Sequence, residues 1–183
     1  MALTVLAASV TLASGCSSAP PAMAKHETKR AELTSEEAKA EIREMYELTK
    51  NSVGGTWTTY SRNWWTCSSS EAEPRAAYSM MYRRAGQPLP SDPADVAEQL
   101  REIWSAHGHR VEVVFDKSTR RDHYILSDPP WLSGSSPDLP LIQFTVGEDY
   151  ASFKATSRCV PGDYGELGTQ EPERGQDEGE IGE

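Results

Sequence analysis

The chain has 183 residues, 37% of them hydrophobic, and a formal net charge of −10, which indicates one domain plus tails. Eight acids and one base lie between Asp163 and Glu183, a sum of −7, so that residues 1–162 carry only −3. Neither part has the clustered Lys/Arg face that could hold a phosphate backbone, so we expect no nucleic acid among its partners.

The first element is an apolar stretch of twelve uncharged residues, ALTVLAASVTLA (Ala2–Ala13). Its length suits the core of a signal peptide and is too short for a membrane-spanning helix. The residues ASGC (Ala13–Cys16), preceded by Leu12, resemble a bacterial lipobox, with Ala13 standing where Leu or a branched residue is usual. The resemblance implies a signal peptide over residues 1–15 and a diacylglyceryl group on the thiol of Cys16, which becomes the mature N-terminus.

Residues 16–33 are expected to be a tether, because the segment SSAPPA after Cys16 is rich in Pro and Ser. Two acyl chains, at about 0.8 kcal/mol per buried methylene, anchor a protein stably. We therefore expect acyl chains on Cys16 to hold the domain on the outer face of the cell membrane. Two alternatives stay open: cleavage after Ala24 would secrete a soluble protein, and residues 2–15 could form a buried element with Cys16 in the core.

Capping patterns predict two helices. Thr34 and Glu37 have the spacing of a capping box before an apolar stripe, and Gly54–Gly55 end that helix. Asp92 is placed to cap the second helix, and Pro93 takes its first position. The buried stripe of the second helix is predicted to contain Val96, Leu100, Ile103 and His107, with Trp104 at its margin.

Six strands are predicted around these helices. Thr56–Ser69 is rich in β-branched and aromatic residues, and Arg75–Gly86 is read as a strand although its Ala and Met residues also suit a helix. RVEVVFD, HYILS, LIQFTV and YASFKATSRC follow the second helix, and GED joins the last two as a hairpin. This order predicts an α+β domain over residues 34–162, with two helices packed on one face of an antiparallel sheet of about five to six strands. The acidic residues 163–183 are expected to be disordered.

Several short pieces carry a family resemblance: GGTW, a first strand that ends at Cys67, REIWSAHGHRVEV and SRCVPGD. With the lipobox, they resemble small actinobacterial lipoproteins and secreted proteins, most of which have no assigned function. The resemblance implies this fold and a disulfide between Cys67 and Cys159, but no activity. Alternation supports the bridge, because Cys67 would share a face with Trp57 and Trp65, and Cys159 with Phe153, so both thiols are expected to point into one core. Two unpaired buried thiols are the alternative.

No grouping of residues predicts catalysis, a metal site or a cofactor. His107 and His109 offer two ligands, fewer than a zinc site needs. His123 beside Asp122 could be a base and its orienting carboxylate, but no nucleophile is recognisable for it in the sequence. We therefore predict a protein that is not an enzyme and has no metal and no cofactor.

Aromatic residues are the remaining candidates for a site. Adjacent strand residues point to opposite faces, so Trp64 and Trp65 cannot both enter one core. Tyr60 and Arg62 share a strand face with Trp64 in this alternation, and Trp131 lies in the Pro-rich loop DPPWLSGSSPDLP. The predicted ligand-binding set is Tyr60, Arg62, Trp64 and Trp131. A helix or loop that covers these rings is the alternative.

The sequence thus predicts a lipid-anchored binding or scaffold module of the cell envelope, whose partner is an envelope protein or ligand. A carrier of an apolar or lipid ligand is the second hypothesis, because the first strand is rich in Trp. The third hypothesis is an envelope hydrolase that uses His123 and Asp122.

Overall fold

The computed structural model describes residues 32–67, 73–85, 88–117, 121–130 and 136–169. All of these residues belong to one unit that begins at Glu32. In chain order, the elements within the described ranges are α1 (Ser35–Val53), β1 (Thr56–Thr66), β2 (Arg75–Ala85), α2 (Pro93–Ala106), β3 (Glu112–Asp116), β4 (His123–Asp128), β5 (Leu141–Gly147), β6 (Tyr150–Thr156), β7 (Val160–Pro161) and α3 (Tyr164–Gly168).

Side-chain caps define where the two long helices begin. The predicted capping box of α1 is confirmed: the Thr34 N–H donates to Glu37 Oε2 at 2.8 Å, and the Glu37 N–H donates to Thr34 Oγ1 at 3.2 Å. In α2, Asp92 Oδ1 accepts from the N–H of Ala94 at 2.9 Å. Helix α1 ends at Gly54, whose φ of 65° lies in the left-handed region that favours glycine. Both predicted helices are therefore present with the expected caps.

A buried hydrogen-bond chain links the two long helices. Trp104 of α2 is fully buried, and its Nε1 donates to Thr49 Oγ1 of α1 at 3.1 Å. Thr49 in turn donates to the carbonyl of Met45 at 2.8 Å. His107, which we expected in the buried stripe, is instead the exposed C-cap residue of α2, and its Nδ1 lies 2.8 Å from the Ile103 carbonyl. The helix ends before His107 could turn towards the core.

The strands form one antiparallel sheet with the order β1-β2-β6-β5-β4-β3, and β7 pairs with the start of β2. The predicted hairpin between β5 and β6 is confirmed, with Gly147 opposite Tyr150. The strand predicted from Arg75 is confirmed as β2, and not as a helix. The α+β class and the antiparallel sheet are thus confirmed, and the described sheet has seven strands.

Alternate residues give the four strands β1, β2, β6 and β5 two faces that differ in burial. The first, here called the buried face, packs into the hydrophobic core with Trp64, Tyr78, Met80, Tyr82, Ala151, Phe153, Ala155, Ile142, Phe144 and Val146. The second, here called the open face, carries Ser61, Asn63, Trp65, Ser79, Met81, Arg83, Ser152, Lys154, Thr156, Leu141, Gln143 and Thr145. All twelve of these residues are half-exposed or exposed, whereas Ala77, which lies opposite Trp65 on the same face, is buried.

Beyond β6 the chain adds two short elements that were not predicted. Val160 of β7 is buried in the core. Asp163 then caps α3, because its Oδ1 accepts hydrogen bonds from two backbone N–H groups of that helix at 2.8 and 3.2 Å. The expectation of disorder is therefore corrected for the start of the acidic segment, where Leu167 packs against the core. Residues 170–183 lie outside the described residues.

Candidate functional site

Strand β1 contains a β-bulge at Tyr60. The pairing passes from Thr59 opposite Tyr82 directly to Ser61 opposite Met81, so that Tyr60 is an extra residue in the strand. An extra residue reverses the alternation of all residues after it. Our assumption of uninterrupted alternation from Trp57 was therefore wrong, and the second half of β1 presents its residues to the opposite faces.

The bulge exchanges the roles of the two adjacent tryptophans. Trp64 is only 5% exposed, and its ring lies 5.3 Å from that of Tyr78. Lys39 Nζ of α1 lies 5.5 Å from the Trp64 ring centroid, within the range of a cation–π contact. Trp65 is 57% exposed on the open face. The placement of Trp64 in a ligand-binding set is thus wrong, because this ring is part of the core.

Tyr60 and Arg62 are not brought together. Arg62 pairs with Met80 of the buried face, and its Nε donates to Tyr82 Oη at 3.0 Å. Tyr60 is 55% exposed, and the guanidinium of Arg83 lies 4.0 Å from its ring centroid. Of the predicted set, Tyr60 alone is strongly exposed among the described members, and it lies beside a cation of the open face.

Two predicted residues, Cys16 and Trp131, lie outside the described residues, so lipidation at Cys16 and ligand binding by Trp131 stay predictions. No helix in the described part of the chain is both long and apolar enough to cross a membrane.

The disulfide between Cys67 and Cys159 is confirmed, with 6.1 Å between the two Cα atoms. Its position differs from our expectation, because Cys67 is exposed and Cys159 is half-buried. Cys67 follows the bulge, so it shares the outward alternation of Trp65 and does not point into the core. The bridge joins the end of β1 to the segment between β6 and β7 at the surface.

A groove with a volume of about 320 Å³ lies at the end of the open face beside this disulfide. Trp65, Ala77, Thr156 and Leu141 line it on the sheet side, and Ser136, Pro137 and Leu139 line it on the other. The N–H of Cys159 donates to the carbonyl of Pro137 at 2.9 Å, which holds the second wall to the bridge. The groove is thus a recess next to the most exposed aromatic ring of the described residues.

The charge of the open face is opposite in sign to that of the whole chain. Among its twelve residues, Arg83 and Lys154 are cations and none is a carboxylate, whereas the chain carries −10. Lys154 lies opposite Met81 and Ser152 opposite Arg83, so the two cations are diagonal neighbours on β2 and β6. At this spacing the Cα atoms of two residues lie roughly 7–8 Å apart.

Sequence reasoning did not find Arg83, Lys154 or the groove residue Leu139. Strand alternation could have shown that Arg83 and Tyr82 point to different faces of the sheet, and that Lys154 and Phe153 do so as well. It could not have shown that β2 and β6 are neighbours, because they are separated by more than sixty residues and four elements. The juxtaposition of the two cations depends on sheet order.

Two histidines near the β3–β4 pair contact carboxylates. His123 is buried; its Nδ1 lies 2.9 Å from the Arg121 carbonyl and its Nε2 3.6 Å from Asp116 Oδ2. The carboxylate near His123 is therefore that of Asp116, whereas Asp122, which we considered as a partner, is exposed. His109 Nδ1 contacts Asp128 Oδ2 at 2.5 Å. No group of three or more metal-binding side chains occurs among the described residues.

Comparisons with known proteins give one distant structural neighbour. No family model and no curated protein matches the chain. Among solved structures, the chain is similar to a DUF4853 family protein from Actinomyces odontolyticus ATCC 17982, with 16% sequence identity and a TM-score of 0.41. The similarity covers 81% of this chain and 77% of that chain. At this distance the neighbour carries no argument about function.

Proposed function

We propose that this chain is a non-catalytic binding module, anchored by acyl chains on Cys16 at the outer face of the cell membrane, that holds its partner on the open face. The observation that carries the proposal is the open face itself: a sheet surface with an exposed Trp65, a neighbouring groove and two cations. Exposed aromatic and Arg side chains are typical of recognition surfaces.

The packing of the helices supports this choice of face. The ring of Phe153, on the buried face, lies 5.5 Å from Tyr46 of α1 and 6.4 Å from Trp104 of α2. One side chain contacts both helices, and from this we infer that α1 and α2 cover the same face of the sheet. A partner would then reach the sheet from the opposite side.

The lipobox and the disulfide support the location. A structural disulfide persists in oxidising compartments and is rare in the cytosol, so the bridge between Cys67 and Cys159 agrees with an exported domain. Diacylation of Cys16 would then keep the domain at the membrane without an apolar protein surface. The finer assignment, to a lipoprotein family of actinobacteria, is part of this proposal.

A carrier of an apolar ligand is the second candidate. The groove beside the disulfide favours it, because Trp65, Leu139 and Leu141 give that recess an apolar lining. A carrier would hold its ligand in the groove, whereas a binding module uses the whole open face. The two candidates therefore differ in the positions that contact the ligand.

Site-specific cross-linking in the membrane of a bacterial host tests the binding face. A photo-reactive amino acid replaces Ser152 of the open face, opposite Arg83, in one full-length variant, Leu139 of the groove in a second and Arg101 of α2 in a control variant. We expect covalent adducts from position 152 and none from position 101. Equal adducts at positions 152 and 101, or none at position 152, would contradict a binding role for the open face. A lipid adduct from position 139 alone would favour the carrier.

Acylation is tested in the same host by feeding a labelled fatty acid. The wild-type chain should carry the label and sediment with membranes, and Cys16→Ser should lose both properties. Ser17→Ala is the matched control and should keep them. An unlabelled wild-type chain whose mature N-terminus follows Ala24 would show instead that the protein is secreted in soluble form.

A further inference from the structure

We propose that the partner of the open face is an acidic polysaccharide, that is, a sugar or sugar-alcohol chain with anionic groups spaced along it. This inference rests on the proposed function and names the chemistry of its ligand. It depends on three features that the structure brings together on one face: cations without a carboxylate partner in the described residues, stacking rings and side-chain amides.

The first feature is a pair of neighbouring cations. Arg83 and Lys154 are exposed diagonal neighbours. Within the described ranges, neither has a carboxylate at salt-bridge distance, whereas six other Lys and Arg residues do: Lys39, Lys50, Arg75, Arg101, Arg121 and Arg158. In a chain of net charge −10, two neighbouring cations without acids favour an anionic ligand by charge complementarity. Such a ligand would be repelled from most of the remaining surface.

The rings beside the cations suit a sugar. Tyr60 and Trp65 are both more than half exposed, and they flank the polar middle of β1. The electron-rich face of an aromatic ring attracts the positively polarised C–H groups on the flat side of a sugar ring. Arg83 lies over the ring of Tyr60 at 4.0 Å, and a stacked guanidinium keeps the N–H groups at its edge for an anion. One location thus offers both a stacking surface and a charged donor.

The open face also carries two side-chain amides, Asn63 of β1 between the two rings and Gln143 of β5 opposite Lys154. The amides of Asn63 and Gln143 each provide two N–H donors and one carbonyl acceptor, which matches the donor and acceptor character of sugar hydroxyls. Both residues are half-exposed on the open face. A surface of this kind binds a hydroxylated chain better than an apolar helix, because an apolar partner would leave these amides without hydrogen bonds.

The low number of cations on the open face favours an acidic polysaccharide over other polyanions as the ligand. Proteins that bind nucleic acids by their backbone neutralise about six to ten phosphates, and the open face has two cations. Anionic membranes likewise attract clusters of about four to eight Lys and Arg residues. An acidic polysaccharide carries widely spaced anionic groups, one for each sugar or each second sugar. This low charge density matches a face with two cations and two rings.

Binding measurements with defined polymers test the proposal. The full chain is purified in detergent and titrated with polygalacturonate, which carries carboxylates, and poly(glycerol phosphate), which carries phosphodiesters. Dextran is the neutral control, and vesicles of phosphatidylglycerol and phosphatidylcholine present a lipid phosphate. We expect binding to at least one acidic polymer, weakened by salt and with a shift of Trp fluorescence, but no binding to dextran or vesicles. The polymer that binds identifies the anionic group.

Variants locate this binding on the open face. The double variant Arg83→Ala/Lys154→Ala should weaken binding by roughly tenfold or more, and Trp65→Ala should weaken it and remove the fluorescence shift. Arg101→Ala removes a cation from α2 and should bind like wild type. Lack of binding to both acidic polymers, binding to vesicles alone, or equal binding by the double variant would overturn the proposal. Adducts from position 152 in cells, with no polymer bound, would refute the polysaccharide while leaving the binding module intact.

Discussion

The two faces of the same sheet differ completely, although their residues alternate along the same strands. Phe144 and Phe153 are fully buried, whereas their neighbours Gln143 and Lys154 are half-exposed and exposed. The buried face determines the stability of the fold, and the open face is free to carry charge and hydrogen-bonding groups. Along each strand, residues that stabilise the core therefore alternate with residues that are available for recognition. Substitutions at adjacent positions should thus have unrelated effects on stability and on binding.

The largest expected difference is between Trp64 and Trp65. Trp64→Ala leaves a cavity in the core and should lower the free energy of unfolding by about 3–5 kcal/mol. Trp65→Ala removes an exposed ring and should change it by about 0.5 kcal/mol or less. Denaturant unfolding of the two variants measures both values. The reverse order of effects would show that β1 has no bulge at Tyr60.

The disulfide should come next, because it lies at the surface and still constrains the whole domain. It closes a loop with a sequence separation of 92, and removal of such a bridge costs about 2–5 kcal/mol. The free energy of unfolding of Cys67→Ser/Cys159→Ser should be lower by this amount. The near-UV spectrum of the folded state should be unchanged, since the core is not altered. Reduction of the wild-type protein is the control and should give the same loss. A loss below about 1 kcal/mol would mean that the unfolded chain is not constrained by the bridge.

The smallest effect is expected at the capping box of α1, which contributes to neither face. Hydrogen bonds from the Thr34 backbone and side chain lower the pKa of Glu37 below its ordinary value of 4.5. Because the folded pKa is the lower one, this contribution is present above the unfolded value and is lost as the pH falls through the folded value. The stability difference between wild type and Glu37→Ala, which removes the carboxylate, should therefore be small at neutral pH and shrink in acid. A difference that stays constant down to pH 2, well below the ordinary Glu pKa, would contradict this origin.

Much of the fold could be predicted because its signals are local. Caps such as Thr34 and Asp92 act within a few residues, and the strand and hairpin patterns act within one or two elements. The disulfide was predicted from a family resemblance and from alternation, and the bridge exists although its expected burial was wrong. The element order was sufficient for the α+β class.

The candidate site could not be predicted to the same extent. Tyr60 is neither Gly nor Pro, so nothing in its type marks the bulge, and one unrecognised residue placed Trp64 on the wrong face. Arg83 and Lys154 become neighbours only because β2 pairs with β6, a contact between distant segments. Errors of this kind follow from long-range pairing, which local patterns do not encode.

The bulge at Tyr60 also has a consequence for comparing this chain with relatives. The extra residue divides β1 into two parts with different alternation between the sheet faces. Trp57 belongs to the first part and Trp64 to the second. A relative that lacks this residue would preserve both tryptophans only if an alignment introduced a one-position gap between them. A gap inside a strand is usually taken as an alignment error. Here it would mean that the relative has the same strand without the bulge.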